Sequence, residues 1–243
     1  MTEFYDMRVN STLSIGESTP SEIGKFVEGL GIHGVCFADF ARRPISDFNK
    51  LKDELGDFKI KILSRADITA KSSVSLKRAL SRIRGNIDII GVECPNRNLF
   101  SLAARDSRVD IIVINPENAK IFRRTAAKLA AKNNTAVEIS LSWIISTRGV
   151  PRVNILNGFC KVVEETVNAN APLLLSSGAT HKYQLRGPRE LMALAKLLDI
   201  DEKKAKQALS EVPKRMILRN VEKRDPDYVM KGIKIVKRPV SHK

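Results

Sequence analysis

Short apolar segments rich in β-branched residues alternate along the chain with longer segments whose apolar residues recur at helical spacing. Several of the short segments are nearly continuous hydrophobic runs, which is typical of parallel strands covered on both faces. We therefore predict seven strands. They are FYDMRV at residues 4–9, HGVCFA at 33–38, FKIKIL at 58–63, IDIIGV at 87–92, VDIIVI at 109–114, TAVEIS at 135–140 and PLLLSS at 172–177.

The segments between the strands carry helix signals. Thr19 precedes Pro20 and Glu22, a pattern typical of a capped helix start, and Gly31 is a suitable stop. Pro188 opens a later helix that has leucines on one face. Strands that alternate with helices imply a parallel sheet with the helices outside it. We predict an α/β fold, a TIM-like (β/α) barrel of about seven strands.

An open, doubly wound sheet is the structural alternative to the barrel. No glycine-rich G-x-G-x-x-G turn follows the first strand, and this weakens a nucleotide-binding interpretation. The pattern changes after Asp201, to a helix predicted to end near Val212. We predict a barrel domain at residues 1–212 and a basic C-terminal extension at residues 213–243. In this extension, residues 214–243 hold ten Lys or Arg and three Asp or Glu.

The composition shows a strong excess of positive charge. Forty-two Lys and Arg against 27 Asp and Glu give a formal net charge of +15 in a chain of 27.1 kDa. Such an excess indicates a polyanionic partner, nucleic acid first of all. Lysine enrichment of the thermophile kind is the alternative, but it usually comes with matching glutamate. Aromatic residues make up 5% of the chain, so contacts to phosphates fit better than stacking of successive bases.

Two further features bear on the compartment and on cysteine chemistry. The N-terminal segment does not resemble a signal peptide, and no run of about 18 apolar residues could span a bilayer, so we expect a cytoplasmic protein. Cys36, Cys94 and Cys160 are odd in number and far apart. This spacing disfavours a disulfide framework and a zinc site built on close cysteine pairs. We interpret the three cysteines as buried structural thiols.

Candidate metal ligands and nucleophiles are few. The three histidines have neither H-x-H nor H-E-x-x-H spacing, so a polynuclear metal centre is not predicted. Asp6, Asp39 and Glu138 lie in or just after strands and could hold Mg²⁺, but Asp6 and Asp39 could equally pair with Arg8 or Arg42. There is no G-x-S-x-G turn for a nucleophilic serine. We predict no catalytic residue and no metal ligand in this chain.

Two basic loops follow the sixth and seventh predicted strands. The loop SSGATHKYQLRGPRE at residues 176–190 contains Gly178, which permits a close backbone approach, and Arg186 and Arg189, which could bind phosphate oxygens. The alternative is a helix start at which Arg189 is solvated or paired to a neighbouring glutamate. Arg148 and Arg152 follow the sixth strand and belong to the same rim of the predicted barrel, unless they are merely exposed arginines of a capping loop.

A cationic stripe is predicted on the helix of residues 119–133. Lys120, Arg124, Lys128 and Lys132 recur every four residues, opposite the apolar face. No acidic residue lies between Lys120 and Lys132, so repulsion along this stripe is not compensated within the helix. A solvated helix face would look similar, but we predict that the stripe faces RNA or an acidic partner.

Three segments of the chain carry a resemblance to a known family. They are FYDMRV at the start, EISLSWIISTRGVPRVN in the middle and LLLSSGATHKYQLRGPRELMAL near the end. In order and spacing they are similar to the thirty-kilodalton protein subunit family of archaeal and eukaryotic ribonuclease P, called component three in archaea. The resemblance covers most of residues 1–212, and SSGA followed by LRGPREL is its most specific part.

The resemblance implies a (β/α) barrel similar to metal-dependent phosphoesterases of the polymerase-and-histidinol-phosphatase type, without their metal ligands. It also implies a ribonucleoprotein that removes the 5′ leader from precursor tRNA, in which an RNA subunit performs the Mg²⁺-dependent hydrolysis. This chain would then bind no cofactor. It would stabilise the catalytic RNA together with a small ferredoxin-like protein subunit and other subunits, and it would contact precursor tRNA indirectly.

The resemblance also implies site residues. The family's basic loop maps onto Ser177, Gly178, Ala179, Arg186, Pro188 and Arg189, and Arg148 and Arg152 match basic positions after the sixth strand. Lys120, Arg124 and Lys128 come from the charge pattern alone. The predicted RNA-binding residues are Arg148, Arg152, Ser177, Gly178, His181, Lys182, Arg186, Arg189, Lys120, Arg124 and Lys128.

The leading hypothesis is therefore a noncatalytic, RNA-binding subunit of this endoribonuclease. A barrel metallohydrolase that acts on a phosphoester is the first alternative. A scaffold that recruits an acidic protein without binding RNA is the second, and it predicts no salt-dependent RNA binding.

Overall fold

The computed structural model describes residues 2–230 and 233–234 of the chain. Seven strands form one parallel sheet in the order β1 to β7, each paired with its neighbour in sequence. The seven predicted strands are confirmed, although the third begins three residues later than predicted and extends further. The strands are β1 (Tyr5–Val9), β2 (Gly34–Phe37), β3 (Lys61–Thr69), β4 (Ile89–Glu93), β5 (Ile111–Ile114), β6 (Ala136–Ser140) and β7 (Leu173–Ser176).

The sheet curls until its two edge strands meet. The Gly178 amide donates to the carbonyl of Arg8 at 3.1 Å, and the Asn10 amide donates to the carbonyl of Ala179 at 2.8 Å. A parallel bridge between Val9 and Ala179 lies at the same seam. These contacts join β1 to the segment after β7, so the sheet is a nearly closed barrel, as predicted, and not an open doubly wound sheet.

Helices surround the barrel, and local sequence signals set their ends. At α1, the Thr19 side chain accepts from the Glu22 amide while Glu22 bonds back to the Thr19 amide, and Pro20 occupies the first turn. No helix among the described residues is long and apolar enough to cross a membrane. The helices are α1 (Pro20–Gly29), α2 (Ile45–Glu54), α3 (Ser73–Ile83), α4 (Arg97–Ala103), α5 (Arg124–Asn133), α6 (Ser142–Ser146), α7 (Gly149–Asn168), α8 (Pro188–Ala195), α9 (Glu202–Leu209) and α10 (Glu211–Arg224).

The last long helix belongs to the barrel core. The buried α10 residues Val212, Met216 and Ile217 form one apolar cluster with Tyr5 and Met7 of β1. The helix predicted after Asp201 corresponds to α9, which ends at Leu209, and the chain then continues as α10, because apolar residues of α10 pack against the barrel. The predicted division after residue 212 falls within α10. Two short strands follow, β8 (Tyr228–Met230) and β9 (Ile233–Lys234), while the extension at 231–232 and 235–243 lies outside the described residues.

A buried ion pair links opposite sides of the barrel interior. Arg65 of β3 is fully buried, and its guanidinium bonds both carboxylate oxygens of Glu138 on β6, at 2.7 and 2.5 Å. The same guanidinium donates to the carbonyl of Met7 on β1 at 2.6 Å and to Asp67 at 2.7 Å. A side chain at Gly91 of β4 would clash with Asp67, so glycine there leaves room for the network.

A second arginine extends this network toward the carboxyl ends of the strands. Arg8 pairs with Asp67 at 3.1 Å and with Glu93 at 3.2 Å. Burial by itself would raise the pKa of Asp67, but the charges of Arg65 and Arg8 outweigh it and hold that pKa below its usual value. The two arginines therefore keep Asp67 ionised and hold its carboxylate in place.

Asp6 stands apart from the ion pairs. One oxygen accepts from the Ser177 and Arg8 amides, at 3.1 and 3.3 Å, while the other has no hydrogen-bond partner among the described residues. Burial raises the pKa of Asp6 to about 6, since a charged group in the interior loses its hydration.

Replacement of Glu138 by Gln is expected to destabilise the protein by about 3 kcal/mol, because it removes one of the two carboxylates that balance the buried Arg65 charge. Urea unfolding measures this loss. The matched control is Asp47→Asn, which breaks the more exposed Arg43–Asp47 pair and should cost about 1 kcal/mol or less. Equal effects of the two substitutions would contradict a structural role for the buried pair.

Asp6→Asn is expected to remove the contribution of Asp6 to the pH dependence of the free energy of unfolding. Because the Asp6 pKa rises from 3.8 to about 6 on folding, the native state binds the extra proton between these values, and stability falls as pH rises through this window. At about 1.4 kcal/mol for each pKa unit, the loss approaches about 3 kcal/mol. Urea unfolding at a series of pH values gives the free energy of unfolding of the wild type and of the variant. A difference between the two that stays constant with pH would contradict this account.

Candidate nucleic-acid interface

The parallel topology brings the predicted basic residues to one end of the barrel. In a (β/α) barrel, the loops after the strands and the starts of the following helices lie at the carboxyl ends of the strands. The residues in question follow β5, β6 and β7, which are neighbours in the sheet. At this end lie Lys120, Arg124, Arg148, Arg152, His181, Lys182, Arg186 and Arg189.

The loop after β7 is anchored in the barrel before it reaches the surface. Gly178 has a φ of +65°, and a β-carbon there would lie 2.6 Å from Ser142 Oγ, so no larger residue fits without strain. Ser177 is 1% exposed, and its hydroxyl accepts from the Ala179 amide at 3.1 Å. Ser177 therefore positions this loop and does not present its side chain at the surface.

His181 and Lys182 are already engaged within the fold. His181 Nδ1 accepts from the Tyr183 amide at 3.2 Å and begins a 3₁₀ turn at Lys182–Gln184. Lys182 Nζ pairs with Glu22 of α1 at 2.5 Å, and this contact lowers the Glu22 pKa to about 2. The charge of Lys182 is thus matched by a carboxylate, which makes it a weaker phosphate ligand than the two arginines of the loop.

Arg186 and Arg189 offer charge that no carboxylate in the described part of the chain neutralises. Arg186 Nη1 donates to the carbonyls of Tyr183 and Leu185, both at 2.7 Å, so its guanidinium is held in place by neutral acceptors. Arg189 is exposed, and no ion pair joins it to any described carboxylate, Glu190 included. The alternative in which Arg189 pairs with Glu190 is not observed.

Arg148 and Arg152 lie at the start of α7. Arg148 is the exposed residue that precedes the helix, and Gly149 follows it with a φ of +63°. Arg152 is partly buried, and within residues 2–230 its Nε finds no hydrogen-bond partner. Neither arginine forms an ion pair in the described structure, so both remain available to an anion.

The predicted stripe is shorter than the sequence suggested. Lys120 lies in a 3₁₀ turn at Asn118–Lys120, and α5 begins only at Arg124. The Asn118 side chain donates to the Val113 carbonyl at 2.9 Å, and Phe122 is buried against a core phenylalanine, so the chain turns before the helix starts. The prediction of one continuous helical stripe from Lys120 is therefore wrong. Arg124, Lys128 and Lys132 are exposed on α5.

Cations at the opposite end of the barrel are arranged differently. Arg84 of α3 and Arg219 of α10 both pair with the buried Asp110, at 2.5 and 2.8 Å. Arg224 pairs with Asp88 at 2.5 Å. These cations are matched by aspartates, whereas the arginines after β6 and β7 are not. The arginines after β6 and β7 therefore make the carboxyl ends of the strands the candidate anion-binding face.

The candidate metal ligands of the sequence do not form a metal site. Asp39 accepts from the Ser11 amide and hydroxyl and from the Ser14 hydroxyl, and Glu138 is bound to Arg65. Asp6 accepts from backbone amides. The alternative pairings of Asp6 and Asp39 with the side chains of Arg8 or Arg42 are therefore not observed among the described residues. The described residues contain no group of three or more His, Cys, Asp or Glu placed to hold a metal ion.

Sequence reasoning missed a cavity at the mouth of the barrel. It measures about 380 Å³ and lies between the segments that follow β1, β6 and β7. Trp143 and Gln184 are among its lining residues, and neither was singled out from the sequence. Trp143 is the single tryptophan of the chain and lies three residues after the end of β6, a signal that could have marked it.

Several curated proteins that are similar to this chain share one name. Ribonuclease P protein component 3 of Methanococcoides burtonii is 26% identical over 234 residues, which is 96% of this chain and 93% of that protein. The protein of the same name from Methanothermobacter thermautotrophicus is 28% identical over 172 residues, or 69% of each chain.

Solved structures confirm the predicted fold. A chain in the cryo-EM structure of archaeal ribonuclease P with mature tRNA has a TM-score of 0.80 at 21% identity, covering 96% of this chain and 98% of that chain. Histidinol phosphate phosphatase from Lactococcus lactis, solved with zinc, L-histidinol and phosphate, has a TM-score of 0.53 at 11% identity, covering 90% and 94%. The barrel is therefore of the same type as this phosphatase, as predicted.

The family assignment agrees with the predicted resemblance. The model of the family described as RNase P subunit p30 matches residues 3–225, which include all seven barrel strands and α10. The chain therefore belongs to the RNase P subunit p30 family.

Proposed function

We propose that this chain is a noncatalytic protein subunit of ribonuclease P that binds and stabilises the catalytic RNA during 5′-leader removal from precursor tRNA. The observation that carries the proposal is a set of arginines at one end of the barrel that form no ion pair with any described residue, in a member of this family. These are Arg148, Arg152, Arg186 and Arg189.

RNA phosphates are the ligand that these arginines suit best. A guanidinium presents several donors in one plane and binds phosphate oxygens in pairs. Each such contact releases condensed counterions, so it adds salt-dependent affinity without reading base sequence. Arg124 and Lys128 on α5 extend the same positive charge along the flank of the barrel.

In this proposal the hydrolysis belongs to the RNA subunit and to the Mg²⁺ that it binds. The related phosphatase was solved with zinc, but the barrel interior of this chain does not suit such a centre. Its carboxylates are bound by Arg65, Arg8 and backbone amides, and a cation would have to displace those donors. These contacts from arginines and backbone amides to the carboxylates also disfavour the alternative of a barrel metallohydrolase.

The proposal also covers the partners of this chain and its location in the cell. The chain would act in the cytoplasm with ribonuclease P RNA, a small ferredoxin-like protein subunit and other subunits of the particle. Precursor tRNA would be contacted indirectly. The chain in archaeal ribonuclease P that shares this fold was solved with mature tRNA, which supports the assignment to a tRNA-processing assembly.

Charge reversal at Arg186 and Arg189 is expected to weaken binding of ribonuclease P RNA and to lower the slope of log affinity against log salt by about 2, one for each lost phosphate contact. Filter binding across a KCl series measures both. The matched control reverses Lys50 and Lys59, two exposed lysines outside this end of the barrel. Equal salt slopes for the two double variants would count against a role for the loop after β7.

Reconstitution tests the division of labour between protein and RNA. We expect the chain and its small partner subunit to lower the Mg²⁺ concentration that the cognate RNA needs to cleave precursor tRNA, because bound cations reduce repulsion between phosphates. The protein without RNA should cleave nothing. Cleavage by the protein alone would favour the metallohydrolase, and an unchanged Mg²⁺ requirement would favour the scaffold.

A further inference from the structure

The cavity at the barrel mouth has the size and lining of a small-ligand site. Its volume of about 380 Å³ falls in the range usual for such pockets. Trp143 and Ile145 of α6 contribute apolar surface, together with Ile15 from the loop after β1. Trp143 is 40% exposed and Ile15 is 75% exposed, so both present apolar surface to solvent. A planar apolar group would cover this surface.

The charges beneath the cavity disfavour a phosphate inside it. Arg8 lines the cavity, but its guanidinium is bound by Asp67 and Glu93. In the interior network, the guanidiniums of Arg8 and Arg65 pair with three carboxylates. Those carboxylates are Asp67, Glu93 and Glu138. A neutral ligand is therefore favoured over an anion.

Two side-chain amides leave polar atoms free toward a ligand. Gln184 Oε1 accepts from the amide and the hydroxyl of Thr180, at 2.8 and 3.1 Å. The NH₂ group of Gln184 has no hydrogen-bond partner in the described part of the chain. Asn10 donates to the carbonyl of Ala38 at 3.1 Å and leaves its carbonyl oxygen as an acceptor. Both residues line the cavity. A ligand with donors and acceptors on one planar edge would satisfy both groups.

We propose that this cavity receives one unpaired nucleobase of an RNA strand, with the base against Trp143 and its polar edge at Gln184 and Asn10. The strand's phosphates would stay outside, on Arg148 and Arg186. This inference rests on the proposed RNA-binding function and adds a base contact to it. The cationic rim favours RNA over a basic protein segment, and the interior carboxylates keep the phosphates from entering.

Trp143 provides the test, because it is the single tryptophan and reports on the cavity by its own fluorescence. The probes are a short oligomer of riboadenosine and an abasic ribose-phosphate oligomer of the same length and charge. We expect saturable quenching by the adenosine oligomer and tighter binding of it than of the abasic one. Trp143→Ala should weaken binding of a labelled adenosine oligomer by about tenfold, the usual effect of losing one stacked base, and leave abasic binding unchanged.

Two variants separate this effect from a change in folding. Trp143→Phe keeps a ring and should retain most of the affinity. Leu218→Ala, at an exposed apolar residue of α10 outside the cavity lining, should leave the affinity unchanged. Thermal unfolding followed by circular dichroism shows whether each variant is folded under the binding conditions, and the wild-type comparison of the adenosine and abasic oligomers carries the test if the alanine variant is not.

The outcomes distinguish this inference from the proposed function. If neither oligomer nor ribonuclease P RNA binds in a salt-dependent way, the proposed function fails. If ribonuclease P RNA binds but the abasic and adenosine oligomers bind and quench equally, the base site alone is overturned. Stronger saturable quenching by an arginine amide than by the adenosine oligomer would overturn it in favour of a protein side chain.

Discussion

The buried guanidinium of Arg65 is the contact on which this barrel depends. It reaches from β3 to Glu138 on β6 and to the Met7 carbonyl on β1, so one side chain fixes the separation of three strands around the interior. A buried charge of this kind is tolerated only when its donors are satisfied. Here Asp67 and Glu138 satisfy them, and Gly91 leaves the space that the network needs.

This constraint separates the charges of the molecule into two zones. Asp67, Glu93 and Glu138 are held inside by Arg65 and Arg8, whereas the arginines after β6 and β7 form no ion pair in the described chain. In a metal-dependent barrel, carboxylates at this position would be free to bind a cation. Here they stabilise the fold, and the cationic rim is left to attract a polyanion.

The loop after β7 connects the fold to the proposed function. Gly178 and Ala179 close the barrel by pairing with β1, and Ser177 bonds the carboxylate of Asp6 beneath them. The same loop then carries Arg186 to the surface and lines the cavity with Gln184. Because the loop begins in the barrel seam, its cations sit on a rigid support, which reduces the entropy lost on binding.

The sequence by itself determined the seven strands, their alternation with helices and the excess of positive charge, because periodicity and composition are local properties of the chain. It also determined the family, through the motifs around Arg148 and Arg186. Tertiary structure alone decided that Lys182 pairs with Glu22 across 160 residues, that Ser177 is buried, and that α10 completes the core. It also decided that Trp143 and Gln184 share a cavity. These contacts depend on strand register and barrel closure, which bring together residues that no local pattern relates.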